Sequence, residues 1–156
     1  GGGGEVMKRQ GEQHTLRWKN RTGFARMALE HNYPIQPFAA VGADDCWDIL
    51  YDNAQLQKTR IGRWLIDHSG LKAEEIPPLL KGIGPTLLPK PQRMYFRFFP
   101  PVYAQDFAHL PVEEGAWAMR NTVERIVQDG INELLAYREH DPERSFPARI
   151  RHKLRR

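Results

Sequence analysis

TGFARMALEHNYPIQPFAAVG, residues 22–42, decides how the chain is read. Thr22 is a suitable helix N-cap, and Phe24, Met27, Ala28 and His31 then share one helical face. Asn32 can close that helix, and Pro34 forbids its continuation. Ile35–Val41 reads as a short, mostly buried strand. A helix followed at once by a buried strand implies an α/β domain with some parallel sheet.

The same logic extends outward. HTLRW (14–18) reads as a strand, and a turn or short helix is expected near 5–9. RMYFRFFPPV (93–102) is the strongest strand pattern, with aromatics dominating and prolines ending it. Core packing accounts for those aromatics. Beside Arg93 and Arg97 they could also form a stacking platform for single-stranded nucleic acid, a weaker reading. The clearest helix is 116–138, where Met119, Val123, Ile126, Val127, Ile131, Leu134 and Leu135 keep a helical period.

Between these lies weaker signal. Asp44, Asp45, Asp48 and Asp52 crowd together but fail the EF-hand order, so they read as solvated carboxylates around a short turn. Trp64, Leu65 and Ile66 suggest an apolar helical patch. IPPLLKGIGPTLLPKPQ (76–92) is too rich in Pro and Gly for a long element. It either exposes Leu79, Leu80, Ile83, Leu87 and Leu88 to lipid or a partner, or folds over the core.

Bulk properties bound the function. The 156 residues suffice for one domain, and 40% hydrophobic with 27% charged residues is ordinary for a globular fold. The net charge of +4 owes much to RIRHKLRR at 149–156. Cys46 is the only cysteine, which excludes an internal disulfide and a thiolate cluster and suits a reducing compartment. It reads as a buried, inert thiol. Six histidines show no zinc spacing, neither serine sits in GXSXG, and no metal site is expected. The residues alone hold no complete catalytic constellation. They do hold GGGGEVMKRQGE at 1–12, where glycines can bring backbone N–H groups close to an anion near Lys8 and Arg9.

That stretch, together with LRWKNRTGFARMALEHNYPIQPFAAVGADD (16–45), resembles the diacylglycerol acyltransferase-like branch of the glycerolipid acyltransferases. The family's third motif reads Pro-Gly-Gly-x-x-Glu or a close variant; Gly1–Gly4 and Glu5 resemble it. Gly23, Phe24 and Ala28 match the helix that follows, and Pro34, Ile35 and Pro37 match the fourth motif. The later GIGPTLLPKPQRMYFRFFPPV and the final helix also look like the C-terminal part of these enzymes. Two departures stand out. Gly4 replaces the arginine many relatives carry, and no histidine is followed at the fifth position by the aspartate of the catalytic His-x4-Asp; His109 comes nearest, with Glu114.

The resemblance implies a fold and a chemistry. The fold would be the C-terminal portion of an αβ acyltransferase domain, a mixed sheet flanked by helices, over 1–140, with 141–156 a basic tail. The complete enzyme would move a fatty acyl group from acyl-CoA, a co-substrate and not a cofactor, to the hydroxyl of a mono- or diacylglycerol, lysophospholipid or long-chain alcohol. Gly2, Gly3, Glu5, Arg9, Pro34 and Pro37 would bind substrate. The catalytic base would lie outside this chain, which alone would be inactive. Membrane association is expected, on the cytosolic face of the endoplasmic reticulum or another intracellular membrane, with no nucleic-acid partner. The alternative is a non-catalytic module that binds lipid or a membrane surface.

Overall fold

The computed structural model describes residues 8, 10–69, 78–145, 150 and 154. All of the expected turn or helix near 5–9 except Lys8, and residues 146–149, 151–153, 155 and 156 of the basic tail, lie outside them. The chain divides into two compact units, Leu16–Val41 with Arg93–Arg156, and Gly1–Thr15 with Gly42–Gln92.

The first of these units holds the two best sequence patterns. Helix α1 spans Gly23–Glu30 with Thr22 as its N-cap residue, although the Thr22 side chain makes no capping bond. The helix ends as expected. Asn32 turns left-handed at φ 53°, the Tyr33 amide reaches the Ala28 carbonyl at 2.8 Å, and the Asn32 amide reaches that of Leu29 at 3.3 Å. This double bond pattern is a Schellman stop. The buried face, however, is Ala25 and Ala28 with half-buried Leu29, whereas Phe24 and Met27 are exposed. Small residues let α1 lie close to its neighbour, and Phe24 instead meets the edge of Trp18 at 5.2 Å.

Strand β1, Phe38–Val41, pairs with strand β4, Tyr95–Phe98, in antiparallel register. The pairing continues outward through Ile35 and Val102, which exchange backbone bonds at 2.9 and 2.8 Å. The second ladder, in the other unit, joins β2, Asp48–Tyr51, to β3, Leu79–Lys81, again antiparallel. The α/β character therefore holds, but no parallel pair occurs among the described residues. The hydrophobic pattern of a strand says which residues alternate and carries no strand direction. Alternation also corrects the core reading of 93–102. Tyr95 is buried, but Phe96 is 60% and Phe98 70% exposed on the opposite face.

Helix α4, Val112–Glu139, covers the inner face of this ribbon. Met119, Val123, Val127, Ile131 and Leu134 are buried along it, and Ile126 and Leu135 pack at its margin, as their spacing predicts. Gly130 sits mid-helix because a Cβ there would meet the Phe99 ring at 2.4 Å and the Ala39 Cβ at 3.0 Å. Arg120 is buried too. Its guanidinium lies 5.9 Å from the Trp18 ring and 5.7 Å from that of Trp117, pairs with Glu124, and donates to the Lys19 carbonyl at 2.8 Å. HTLRW is not a strand: His14 is left-handed, and the Leu16 amide donates to the Gln128 side chain at 3.2 Å instead of to a neighbouring strand.

In the other unit, α2 spans Asn53–Lys58 and α3 spans Arg60–Ser69. Trp64 is exposed and stacks on His68 at 4.9 Å; the side chains of Leu65 and Ile66 lie outside the described set. The four aspartates have structural partners where solvated carboxylates were expected. Asp52 caps α2 in a full capping box with Gln55, and Asp48 pairs with Lys90. Asp44 accepts from Lys8 Nζ and from the His14 amide, both at 2.8 Å. Burial pushes the Asp44 carboxyl up, but these two donors outweigh it and hold the group below its usual range. A depressed folded value contributes stability above the unfolded value of about 3.8 and loses it as pH falls through the folded one. Asp44→Asn should therefore flatten the acid limb of urea-unfolding midpoints measured from neutral pH downward. Parallel curves for the two proteins would contradict this.

Candidate functional site

Of the six residues assigned to substrate, Gly2, Gly3, Glu5 and Arg9 lie outside the described residues. The structure places the other two at either end of one short extended segment. Pro34 is exposed just beyond the Schellman stop of α1, and Pro37 is buried where β1 begins. Neither proline can donate, so the segment is held by its neighbours. Ile35 exchanges its two bonds with Val102, the Gln36 side-chain amide donates to the Phe99 carbonyl, and the Phe99 amide donates to the Pro37 carbonyl at 3.1 Å. The segment is thus pinned at Ile35, Gln36 and Pro37.

At the C-terminal end of α1, a cavity of about 280 Å³ is lined by Leu29, Glu30, Asn32, Ala104 and Phe107 among others. It is at the small end for a ligand site and mixes apolar walls with a carboxylate and an amide. A shallower groove of about 470 Å³ runs between β4 and α4 along Arg93, Tyr95, Arg97, Glu133 and Tyr137. Its arginines are engaged. Arg93 Nη1 donates to Glu143 at 2.9 Å and stands 3.3 Å from Asp141, and Arg97 pairs with Glu133. The Tyr95 hydroxyl donates to Asp141 at 2.7 Å, and burial first, then this bond, raises its pKa. Arg93 and Arg97 alternate with Phe96 and Phe98 along the strand, so cations and exposed aromatics occupy opposite faces. A base-stacking platform requires both on one face.

The structure also brings together a histidine and two carboxylates that no spacing rule marks. His14 Nε2 lies 3.6 Å from Asp45 Oδ1, and Nδ1 lies 3.9 Å from Asp44 Oδ2. A general base needs one ring nitrogen facing substrate. Both of these face carboxylates, so the cluster is a structural tie. Cys46 is buried as expected; burial first, then the nearby Asp45 charge, raises its pKa, which suppresses the nucleophilic thiolate. Among the described residues no group of three or more His, Cys, Asp or Glu side chains could hold a metal ion.

Comparisons with known proteins add what the geometry leaves open. The chain is 30% identical over 165 aligned residues to phytyl ester synthase 1, chloroplastic, of Arabidopsis thaliana, covering 99% of this chain and 23% of the relative. It is 31% identical over 159 residues to phytyl ester synthase 2, chloroplastic, of the same plant, covering 96% of this chain and 23% of that relative. The chain thus spans under a quarter of the length of the curated relatives it matches. No family model matches it. No solved structure matches it either. Along nearly its whole length, the chain is similar to these two phytyl ester synthases.

Proposed function

We propose that this chain forms part of an O-acyltransferase that esterifies a lipid hydroxyl, with a long-chain alcohol as the favoured acceptor. The observation that carries the reading is the near end-to-end similarity to two phytyl ester synthases. Making such an ester joins an acyl group to the oxygen of an isoprenoid alcohol. Among the acceptors that the motif resemblance allows, the long-chain alcohol therefore gains weight over mono- and diacylglycerol and lysophospholipid. For compartment, the relatives' names favour a plastid over the endoplasmic reticulum.

In the proposed reaction a histidine oriented by an aspartate takes the proton of the acceptor hydroxyl. The oxygen then attacks the carbonyl of an acyl thioester such as acyl-CoA, and the thiolate leaves with a proton. The tetrahedral oxyanion needs preorganised donors. Gly2, Gly3 and Glu5 position the acceptor, with Arg9 supplying positive charge, and the Pro34–Pro37 segment supports the site wall. The base comes from outside these 156 residues, because no His-x4-Asp occurs in them. Alone, the chain is expected to show no turnover.

The test is a graft. The aligned segment of phytyl ester synthase 1 is replaced by this chain, and the hybrid is assayed with a labelled acyl donor against phytol and diacylglycerol. Transfer to phytol in preference to diacylglycerol supports the reading. A folded hybrid that transfers to neither counts against it and favours the non-catalytic lipid-binding alternative.

A further inference from the structure

The loop after β3 shares no residue with the cavity, the groove or the Pro34–Pro37 segment described above. Gly82 donates its amide to the Thr86 carbonyl at 2.7 Å, Ile83 to that of Leu88 at 2.8 Å, and Thr86 to that of Ile83 at 3.2 Å. The Thr86 hydroxyl donates to the Ile83 carbonyl at 2.7 Å and accepts from the Leu88 amide at 3.2 Å. The Trp47 indole N–H donates to the Leu87 carbonyl at 2.9 Å, and the Lys90 amide to the Cys46 carbonyl at 2.8 Å. Pro85 and Pro89 carry no N–H at all. Gly82 makes the closure possible, since a Cβ there would stand 1.7 Å from the Leu88 carbonyl oxygen.

The side chains do the opposite of the backbone. Every residue from 83 to 89 is exposed, with Ile83 at 50%, Leu87 at 70% and Leu88 at 64%. An ordinary surface loop turns polar groups to water. This one has the carbonyls of Ile83, Thr86, Leu87 and Leu88 hydrogen-bonded within the protein and presents three aliphatic tips. Entering an apolar medium is costly chiefly for unpaired backbone polar groups, and here much of that cost is already removed. The surface is a projecting run of consecutive exposed residues and no groove, which suits a deformable partner. Lys81 is exposed at one end of the loop, and Lys90, paired with Asp48, stands at the other, so cationic side chains flank the apolar tips.

We propose that the 82–89 loop inserts Ile83, Leu87 and Leu88 into the interface of an anionic lipid surface. No helix among the described residues is long and apolar enough to cross a membrane, so the contact would be interfacial. The inference is independent of the acyl-transfer reading, and its test requires no turnover.

The full chain is sedimented with vesicles made of equal phosphatidylcholine and phosphatidylglycerol. The wild-type chain should partition onto them. Leu87→Asp with Leu88→Asp should lower the partition coefficient at least about tenfold, because two aliphatic side chains no longer leave water. Ile83→Asp should act the same way on its own, and Lys81→Glu should weaken binding only at low salt. All four sites are exposed, so circular dichroism and melting should match the wild type. Absence of vesicle binding by the wild type would overturn the proposal. So would equal binding by the leucine double variant, which would assign the affinity to other basic segments. Concentration-dependent self-association, abolished by the same variant and without vesicle binding, would assign the loop to a protein contact instead.

Discussion

Glu5→Ala in the grafted enzyme should lower kcat/KM for ester formation about 100-fold while leaving the melting temperature unchanged. The expectation rests on position. In the motif the chain resembles, the glycines bring backbone N–H groups toward the substrate and the glutamate completes the acceptor contacts. A reacting hydroxyl displaced by a single ångström can lose about two orders of magnitude in rate. The loss should appear in kcat as well as KM, since misplacement acts on the transition state and not only on affinity. Glu5→Gln should recover part of the rate, because the amide keeps the hydrogen-bonding shape and loses only the charge. Turnover equal to wild type in Glu5→Ala would remove this loop from the acceptor site. A similar loss accompanied by a lower melting temperature would assign Glu5 to the fold.

Gly130→Leu should destabilise the chain by about 3 kcal/mol, at the upper end of what overpacking a core usually costs. The site lies where α4 crosses the β1–β4 ribbon. The first carbon of any side chain would already meet the Phe99 ring at 2.4 Å, and Ala39, on the strand beneath, leaves no room at 3.0 Å. Alanine alone would gain helix propensity of about 1 kcal/mol over glycine. The clash opposes that gain, and leucine adds three more carbons with nowhere to go. Gly23→Leu is the matched control, since a Cβ at Gly23 meets nothing within 4 Å. Chemical denaturation should place the two variants about 3 kcal/mol apart. Equal stability would mean that α4 does not lie against Phe99 and Ala39 as described.

These two predictions come from different depths of reading. Glu5 is proposed from the sequence, by motif order, whereas Gly130 is not. In the sequence it is a helix-weakening glycine between Asp129 and Ile131, and only the Phe99 ring across from it explains it. The same contrast runs through the fold. The period of α4 was legible because one helix buries one stripe, and that stripe is long. The stop at Asn32 and Pro34 was legible because it is written in backbone geometry. The shared face of Phe24, Met27, Ala28 and His31 did not by itself say which side of α1 is buried; close packing favours Ala25 and Ala28. For β4, alternation allowed either set of aromatics to be buried. The ladder with β1 decides it, sending Tyr95 in and Phe96 and Phe98 out. Long-range ties left no local trace. Asp44 with Lys8, Tyr95 with Asp141 and Arg120 with Lys19 join residues 36, 46 and 101 positions apart.

For the candidate site, the motifs singled out Pro34–Pro37, but sequence patterning alone does not show how that segment is held. Two residues that cannot donate hydrogen bonds are stitched down through Ile35, Gln36 and the Pro37 carbonyl to residues 99 and 102. The apolar stretch at 76–92 left two readings open. Its described part exposes Leu79, Ile83, Leu87 and Leu88 and does not fold them under.

The central claim is that these 156 residues supply an acceptor-binding part of an ester-forming enzyme. The most direct measurement is phytyl ester produced by the phytyl ester synthase 1 graft, quantified beside the parent enzyme and beside a graft carrying Glu5→Ala. Ester should form from the graft at a rate within about tenfold of the parent, and about 100-fold more slowly from the Glu5→Ala graft. A graft that folds and melts like the parent yet yields no ester would contradict it.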